Sequence, residues 1–215
     1  VAPAGLSLHH LHGQRLTDVR RHGKYLPLIF EDTAAIVHLK LSGQLVAEGS
    51  GIPGFHAGHP VPYWGAELPH KSTHLDLRFE GDAWLYLTDI RQFARIVLVP
   101  LGELDDAMAA LRLGPDAISP AFSRDWLHAA LGRRAGARLK PLLLDQTFVA
   151  GLGNIYVDES LFAARLHPER QAGTLSAAEA DALYDAIVNV LSLAIPLGGA
   201  EILHGRAVPE VGAFP

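Results

Sequence analysis

The sequence predicts an α+β chain, β-rich in its first half and helical in its second. Three observations carry this. Leu75, Leu77 and Phe79 alternate with polar residues, the period of a half-buried strand. Glu80-Gly81-Asp82 then turns the chain into a second apolar run, Trp84 to Thr88, and Gly-containing turn chemistry makes the pair a hairpin. After Pro100 the apolar period lengthens to that of helices. It culminates in a capping box, Ser176-Ala177-Ala178-Glu179, ahead of the stripe Leu183, Ile187, Val190 and Ala194.

Taken in order, residues 1–11 carry no periodic signal. Strands are expected over 15–20, 25–30, 35–41 and 44–47, with Arg21-His22-Gly23, Glu31-Asp32 and Ser42-Gly43 between them. Residues 49–69 are rich in Gly, Pro and His and read as a long surface loop. The hairpin follows, then a strand over 94–99 and a short helix over 104–111. Gly114 to Pro120, with two prolines, reads as a hinge or linker, which sets the domains at 1–112 and 113–215. Ser123 is a plausible N-cap for a helix to Leu131. The last long helix carries Leu175 as a hydrophobic staple and stops near Pro196.

At 215 residues the chain can bury a substantial core. No apolar run approaches the length of a membrane span, and the first ten residues lack the pattern of a signal peptide. The expectation is a soluble, cytoplasmic monomer. The absence of cysteine excludes disulfides and thiolate metal sites. His9-His10-x-His12 and His56-x-x-His59 read as surface histidines rather than ligands, so no metal site and no cofactor is expected from the residues. The net charge of −5 runs against nucleic-acid binding, but the basic residues are grouped. Arg20, Arg21, His22 and Lys24 form one cluster, and Arg133, Arg134, Arg138 and Lys140 the other.

The second cluster adjoins the most specific stretch of the chain, KPLLLDQTFVAGLGNIYVDESLFAAR from Lys140 to Arg165. It reads as helix, tight turn, helix. Gly151 and Gly153 can take φ > 0 in the turn. Asn154 stands where an N-cap opens the second helix, whose buried face would carry Ile155, Phe162 and Leu166. The first-turn N–H groups of such a helix can hold a phosphate.

QTFVAGLGNIYVDESLFAARLHP closely resembles the helix–two-turns–helix motif (139–166) of the formamidopyrimidine-DNA glycosylase and endonuclease VIII family. The resemblance runs from about Arg15 to Ala200. It implies a β-sandwich-like N-terminal domain and a helical domain that grip duplex DNA across a cleft. Asn154 would contact a phosphate beside the lesion. RHGKYLPLIF is similar to the strand whose Lys touches the DNA backbone, which assigns that role to Lys24, and Lys140 matches a Lys of the helical domain near the lesion strand. IVHLKLSGQL resembles the segment H-L-G-M-S-G: His38 would contact phosphate, Lys40 replaces a Gly, and Leu41 replaces the Met that fills the space left by the extruded base. TDIRQFAR is similar to the loop D-P-R-R-F-G, in which Arg91 would reach the orphaned partner base and Phe93 would wedge between base pairs. Ile90, Gln92 and Ala94 depart from that loop. Leu41, Arg91 and Phe93 together resemble the oxidised-purine branch. Gly151, Gly153 and Glu159 would support the motif, and Lys71, His74 and Asp76 of KSTHLDLRF would be structural.

Two features of the family are not matched. Its members begin with Pro-Glu, and that proline's secondary amine attacks C1′ of the damaged nucleotide. This chain begins Val-Ala-Pro, Pro3 is internal, and Pro209-Glu210-Val211 echoes the pattern in letters only. The family's structural zinc sits on a four-cysteine ribbon, which a chain without cysteine lacks. The 215 residues are therefore read as an incomplete record of an ordinary enzyme, because they lack strands that the sheet needs. The expected activity is that of a bifunctional DNA glycosylase and abasic-site lyase in base-excision repair. It flips and removes oxidised purines (8-oxoguanine, formamidopyrimidines) from double-stranded DNA in the bacterial cytoplasm, at the nucleoid. The alternative is a non-catalytic module of the same fold that binds damaged or abasic DNA.

Overall fold

In the computed structural model the first half of the chain forms two four-stranded antiparallel sheets. The structure describes residues 6–49, 54–58, 65–197, 202–203 and 206–207. One sheet has the order β1-β2-β3-β8, from β1 (Leu16–Val19), β2 (Leu26–Phe30), β3 (Thr33–His38) and β8 (Arg95–Pro100). The other has the order β5-β4-β7-β6, from β4 (Gly43–Gly49), β5 (Phe55–Gly58), β6 (Thr73–Phe79) and β7 (Ala83–Asp89). Leu28, Phe30, Ala35, Val37 and Leu98 of the first sheet share one buried cluster with Leu45, Ala47, Leu85 and Leu87 of the second. The inner faces of the two sheets thus close on each other as a sandwich, the arrangement that removes both apolar faces from water at once.

Strand β5 falls inside the stretch expected to be loop. Its exposed residues Phe55, His56 and Gly58 give no apolar alternation, and it is held as an edge strand by backbone pairing of Phe55–Gly58 with Gln44–Ala47. Residues 50–53 and 59–64 of that stretch, including His59, lie outside the described residues, as do Pro3 and Pro209-Glu210-Val211. The aperiodic start contains a short 3-10 helix, Leu8–Leu11, whose Leu11 is buried in the sandwich core. A two-residue ladder pairs Ile202–Leu203 with Arg206–Ala207.

The contacts divide the described chain into two units. The sandwich unit holds 6–21, 25–104 and the 202–207 ladder, and the helical unit holds 22–24 and 105–197. The helical unit contains α1 (Leu104–Ala110, entered from the sandwich unit at Leu104), α2 (Arg124–Arg133), α3 (Leu139–Leu144), α4 (Asn154–Ala163) and α5 (Ala177–Ala194). Its core is a single cluster, with Leu127, Leu139, Leu143, Val149, Leu152, Val157, Leu183 and Ile187 fully buried. Pro141 sits in the first turn of α3, where its missing N–H costs nothing. Among the described residues no helix is long and apolar enough to cross a membrane.

The segment expected to be a hinge is instead docked. Ala117 and Asp116 are buried, Gly114 N–H donates to Gln146 O, Ala150 N–H to Pro115 O and Ala117 N–H to Ala150 O. The prolines mark a turn that pairs with the α3–α4 connection as a short bridge. The apolar face expected for α4 is also reversed. Val157 and Leu161 are buried, whereas Phe162 is 74 % exposed and Ile155 40 %. Apolar residues surround α4 on all sides, so periodicity could not choose between the two stripes; Leu166, beyond the helix, is buried as expected.

The capping box of α5 is formed. Ser176 Oγ accepts from Glu179 N–H and the Glu179 carboxylate accepts from Ser176 N–H. Arg170 forms a two-pronged ion pair with the same carboxylate. Those hydrogen bonds from Arg170 and then from Ser176 N–H hold the Glu179 pKa down at about 2. A carboxyl depressed in the folded state stabilises above its unfolded pKa, near 4.5, and loses that contribution as pH falls toward 2. Ser176→Ala is expected to cost about 1 kcal/mol in urea unfolding. The gap between wild type and Glu179→Gln should be full at pH 7 and close between about pH 4.5 and 2; a gap independent of pH contradicts the assignment.

Candidate nucleic-acid interface

The first candidate surface is the N-terminus of α4. The turn before it is short of backbone partners, and one side chain supplies them. Gln146 Nε2 donates to Leu144 O and Leu152 O, both at 2.9 Å, while Gln146 Oε1 accepts from Gly151 N–H at 3.0 Å. Asp145, at the end of α3, accepts from Thr147 N–H and Oγ1 and closes the first of the two turns. Hydrogen bonds from Thr147, against the cost of burial, hold the Asp145 pKa low. Gly151 has φ +105, a conformation that residues with a Cβ rarely adopt, as expected. Gly153 does not need that freedom: its φ is −112 and its ψ 177.

Gly153, not Asn154, is the N-cap of α4. Asn154 is the first helical residue, and its side chain is exposed rather than folded back to cap the helix. Two of the cations predicted for the site gather around it. A Cβ placed on Gly153 would lie 3.6 Å from Lys24 Nζ, so that ammonium stands directly over the entry to α4. Lys24 is brought there by its own turn: Gly23 N–H donates to Asp116 Oδ2 at 2.7 Å, and His22 Nε2 bonds Gly114 O at 3.0 Å. Lys140, on α3, pairs with Asp158 at 2.7 Å. Asp158 lies four residues after Asn154 and so on the same face of α4, which places the Lys140 ammonium one helical turn from Asn154. Lys24, Asn154 and Lys140 are therefore one constellation on one end of one helix, where the helix dipole favours an anion.

The basic cluster around Lys140 is less bare than its sequence suggests. Arg134 pairs with Asp145 at 3.4 Å, Arg138 with Glu169 at 3.2 Å and Lys140 with Asp158. Glu159 is half-buried on α4 and makes no ion pair among the described residues.

The second candidate surface is a pair of turns in the sandwich unit. The β3–β4 turn carries Leu41, 62 % exposed, and the β7–β8 turn carries Arg91, exposed, and Phe93, 53 % exposed. Their exposure is built from below. Asp89, 2 % exposed, ends β7 and points its carboxylate into both turns. One oxygen accepts from Arg91 N–H at 3.1 Å and from the hydroxyl of Ser42. The other accepts from Phe93 N–H and Ala94 N–H, both at 2.7 Å. Burial alone would raise the Asp89 pKa, but the bonds from Ser42 and from the Ala94, Arg91 and Phe93 N–H groups outweigh it, and the carboxyl stays below its ordinary value. His74, at a bulge in β6, donates from Nε2 to Asp89 O at 2.8 Å, and Asp89 N–H donates to Ser72 O.

His38 ends β3 beside these turns, ring edge to ring face with Tyr25 at 4.7 Å. Its Nδ1 accepts from Lys40 N–H at 3.0 Å. Lys40 has φ +57, the left-handed region, which explains why a Gly suits that position. His38 belongs to the sandwich unit, whereas Lys24, Lys140 and Asn154 belong to the helical unit.

Comparison with known proteins matches both halves. Residues 2–96 match the family described as Formamidopyrimidine-DNA glycosylase N-terminal domain. Residues 113–204 match the Formamidopyrimidine-DNA glycosylase H2TH domain. A Formamidopyrimidine-DNA glycosylase of Enterococcus faecalis is 36% identical over 205 residues, covering 95% of this chain and 68% of that protein. The chain belongs to the formamidopyrimidine-DNA glycosylase family. A relative of the same name from Desulforamulus reducens is 40% identical over 177 residues, 81% of this chain and 58% of its own length. With 63% of a Pelotomaculum thermopropionicum relative also covered, the chain spans about three fifths of the length of these two curated relatives. Among solved structures, a Lactococcus lactis FPG variant in complex with a Fapy-dG containing DNA superposes with a TM-score of 0.76 at 31% identity, over 94% of this chain and 69% of that one. The same enzyme with an abasic site containing DNA gives 0.76 at 30% identity, over 95% and 68%.

Sequence reading missed three residues that hold these turns in place: Gln146, Asp116 and Asp89. Each was visible as a polar residue beside a turn, but which backbone N–H a side chain accepts from leaves no periodic trace. Among the described residues no group of three or more His, Cys, Asp or Glu is placed to hold a metal ion.

Asp89→Asn keeps the shape but turns a donor toward backbone donors. It is expected to destabilise the protein by roughly 2–4 kcal/mol at pH 7. Because the folded carboxyl is depressed, the stabilisation is present above the unfolded value near 3.8 and fades as pH falls below it. Urea unfolding of both proteins at pH 7 and pH 3 checks this; an unchanged midpoint at pH 7 contradicts it.

Proposed function

We propose that this chain is the DNA-binding body of a base-excision glycosylase and abasic-site lyase that acts on oxidised purines in duplex DNA. The carrying observation is that exposed Leu41, Arg91 and Phe93 stand on two turns tied to one buried carboxylate. Fixed apolar and cationic side chains at turn tips suit insertion into a base stack, where they recover part of the few kcal/mol spent on extruding a base. Leu41 fills the vacated space, Phe93 wedges between base pairs, and Arg91 reaches the orphaned base. Lys24, Asn154 and Lys140 clamp a backbone phosphate at α4, and His38 holds another. Complexes of the Lactococcus lactis relative with Fapy-dG and abasic-site DNA support the same substrate class for this chain. Such a substrate supports action at the bacterial nucleoid.

The chemistry the family resemblance implies is attack of an N-terminal proline amine on C1′, then a Schiff base and β,δ-elimination; we assign the nucleophile to no residue of this chain. The family's zinc ribbon likewise has no ligands here, since the sequence holds no cysteine. Gln146, Asp116 and Asp89 act indirectly, by fixing the turns that present the contact residues.

Binding can be tested without turnover, by fluorescence anisotropy on a duplex with a tetrahydrofuran abasic analogue and on its undamaged counterpart. Phe93→Ala should reduce the preference for the abasic duplex by about 1–2 kcal/mol, roughly 5- to 30-fold, with little change on undamaged DNA. Lys24→Ala should weaken both duplexes and lower the slope of log K against log salt by about 1. Equal loss on both duplexes for Phe93→Ala sinks the wedge role, and an unchanged salt slope sinks the phosphate role of Lys24.

A further inference from the structure

The two turns that carry the insertion residues are separated in sequence by about fifty residues, yet they are not independent. Ser42, next to Leu41, is 4 % exposed and gives its hydroxyl proton to Asp89. The same carboxylate holds the backbone of Arg91, Phe93 and Ala94. The turns also touch directly. A Cβ on Gly43 would lie 2.4 Å from Leu39 O, so the first turn itself needs glycine there, and 3.0 Å from the Ala94 Cβ, so the two turns stand in close contact. Gly43 N–H donates to Leu39 O at 3.0 Å and completes that turn.

We infer that Ser42 is a positioning residue that couples Leu41 to Arg91 and Phe93 through its hydrogen bond to Asp89, so that the two turns enter damaged DNA as one element. A hydroxyl to a buried, fully bonded carboxylate is a short, directional link. If the Leu41 turn is displaced, the Asp89 oxygen that also accepts from Arg91 N–H must shift with it. Entry of one side chain into the base stack therefore carries the other with it, and the two turns, already ordered, are seated in one step rather than two. Asp89 is common to both turns, but Ser42 alone can be removed without touching the three N–H bonds that shape the second turn.

This inference rests on the insertion roles proposed above, and a mutant cycle separates the two. The readout is the affinity ratio, abasic-analogue duplex over undamaged duplex, for Leu41→Ala, Phe93→Ala and the double variant, each with Ser42 and with Ser42→Ala. With Ser42 present, the double variant should lose roughly three- to tenfold less preference than the product of the single losses, because either truncation already disengages the other side chain. With Ser42→Ala the losses should multiply to within about twofold. Urea unfolding of Ser42→Ala establishes that it is folded; Ser42→Cys, of similar volume and a much weaker donor, replaces it if it is not. Single variants that leave the ratio unchanged refute the insertion roles, and the coupling with them. Single losses that simply multiply with Ser42 present refute the coupling and leave the insertion roles standing. Non-additivity that survives Ser42→Ala refutes Ser42 as the coupler.

Discussion

A backbone N–H in a tight turn that has no strand or helix partner must still find an acceptor, because leaving it bare and buried costs as much as a lost hydrogen bond. In this protein the surfaces assigned to DNA are turns, and in each the acceptor is a side chain turned inward. Asp89 collects three N–H groups and a hydroxyl beneath Leu41, Arg91 and Phe93. Gln146 takes Gly151 N–H and bridges two carbonyls before α4. Asp116 takes Gly23 N–H and Ile118 N–H and so positions the turn that carries Lys24. Leu41, Arg91, Phe93 and Asn154 are exposed and Lys24, His38 and Lys140 half-buried, while Asp89 and Asp116, which help to aim them, are buried.

This arrangement bears on function through pre-organisation. A loop ordered only on binding subtracts its lost entropy from the affinity, whereas one already fixed by buried hydrogen bonds does not. Base extrusion is an unfavourable step, so a protein that inserts side chains into the stack gains most from having them already aimed. The same logic applies to phosphate. Lys140 is held along α4 by Asp158, and Lys24 over Gly153 by its own turn, so the ammonium groups stand near Asn154 without DNA present. The paired state of Lys140 also moderates its charge, which restrains binding that is purely electrostatic.

Much of the fold was legible because it is written in period. The Leu75-Leu77-Phe79 alternation, the Ser176–Glu179 capping box and the Leu183-Ile187-Val190-Ala194 stripe all occur where the residues place them. Period failed where two patterns were equally good. On α4 the chain buries Val157 and Leu161 and leaves Ile155 and Phe162 in water. Composition failed at Gly114–Pro120, since prolines that suggest a flexible joint also suit a turn docked by backbone bonds. Edge strand β5 was unreadable, because its exposed residues are specified by pairing with β4 rather than by an apolar face. The site followed the same division. The proposed contact residues came from the motif shared with a family, while the roles of Asp89, Gln146, Asp116 and Ser42 had no sequence signal, because they lie in which N–H or hydroxyl each one meets.

The central claim is that these turns are ordered before DNA arrives, and amide hydrogen exchange of the free protein measures that most directly. The amides of Phe93, Ala94 and Gly151 should exchange as slowly as those of neighbouring strands and helices, and adding an abasic duplex should change them little. Exchange at the rate of an open loop in the free protein, with protection appearing only when DNA is bound, would contradict the account.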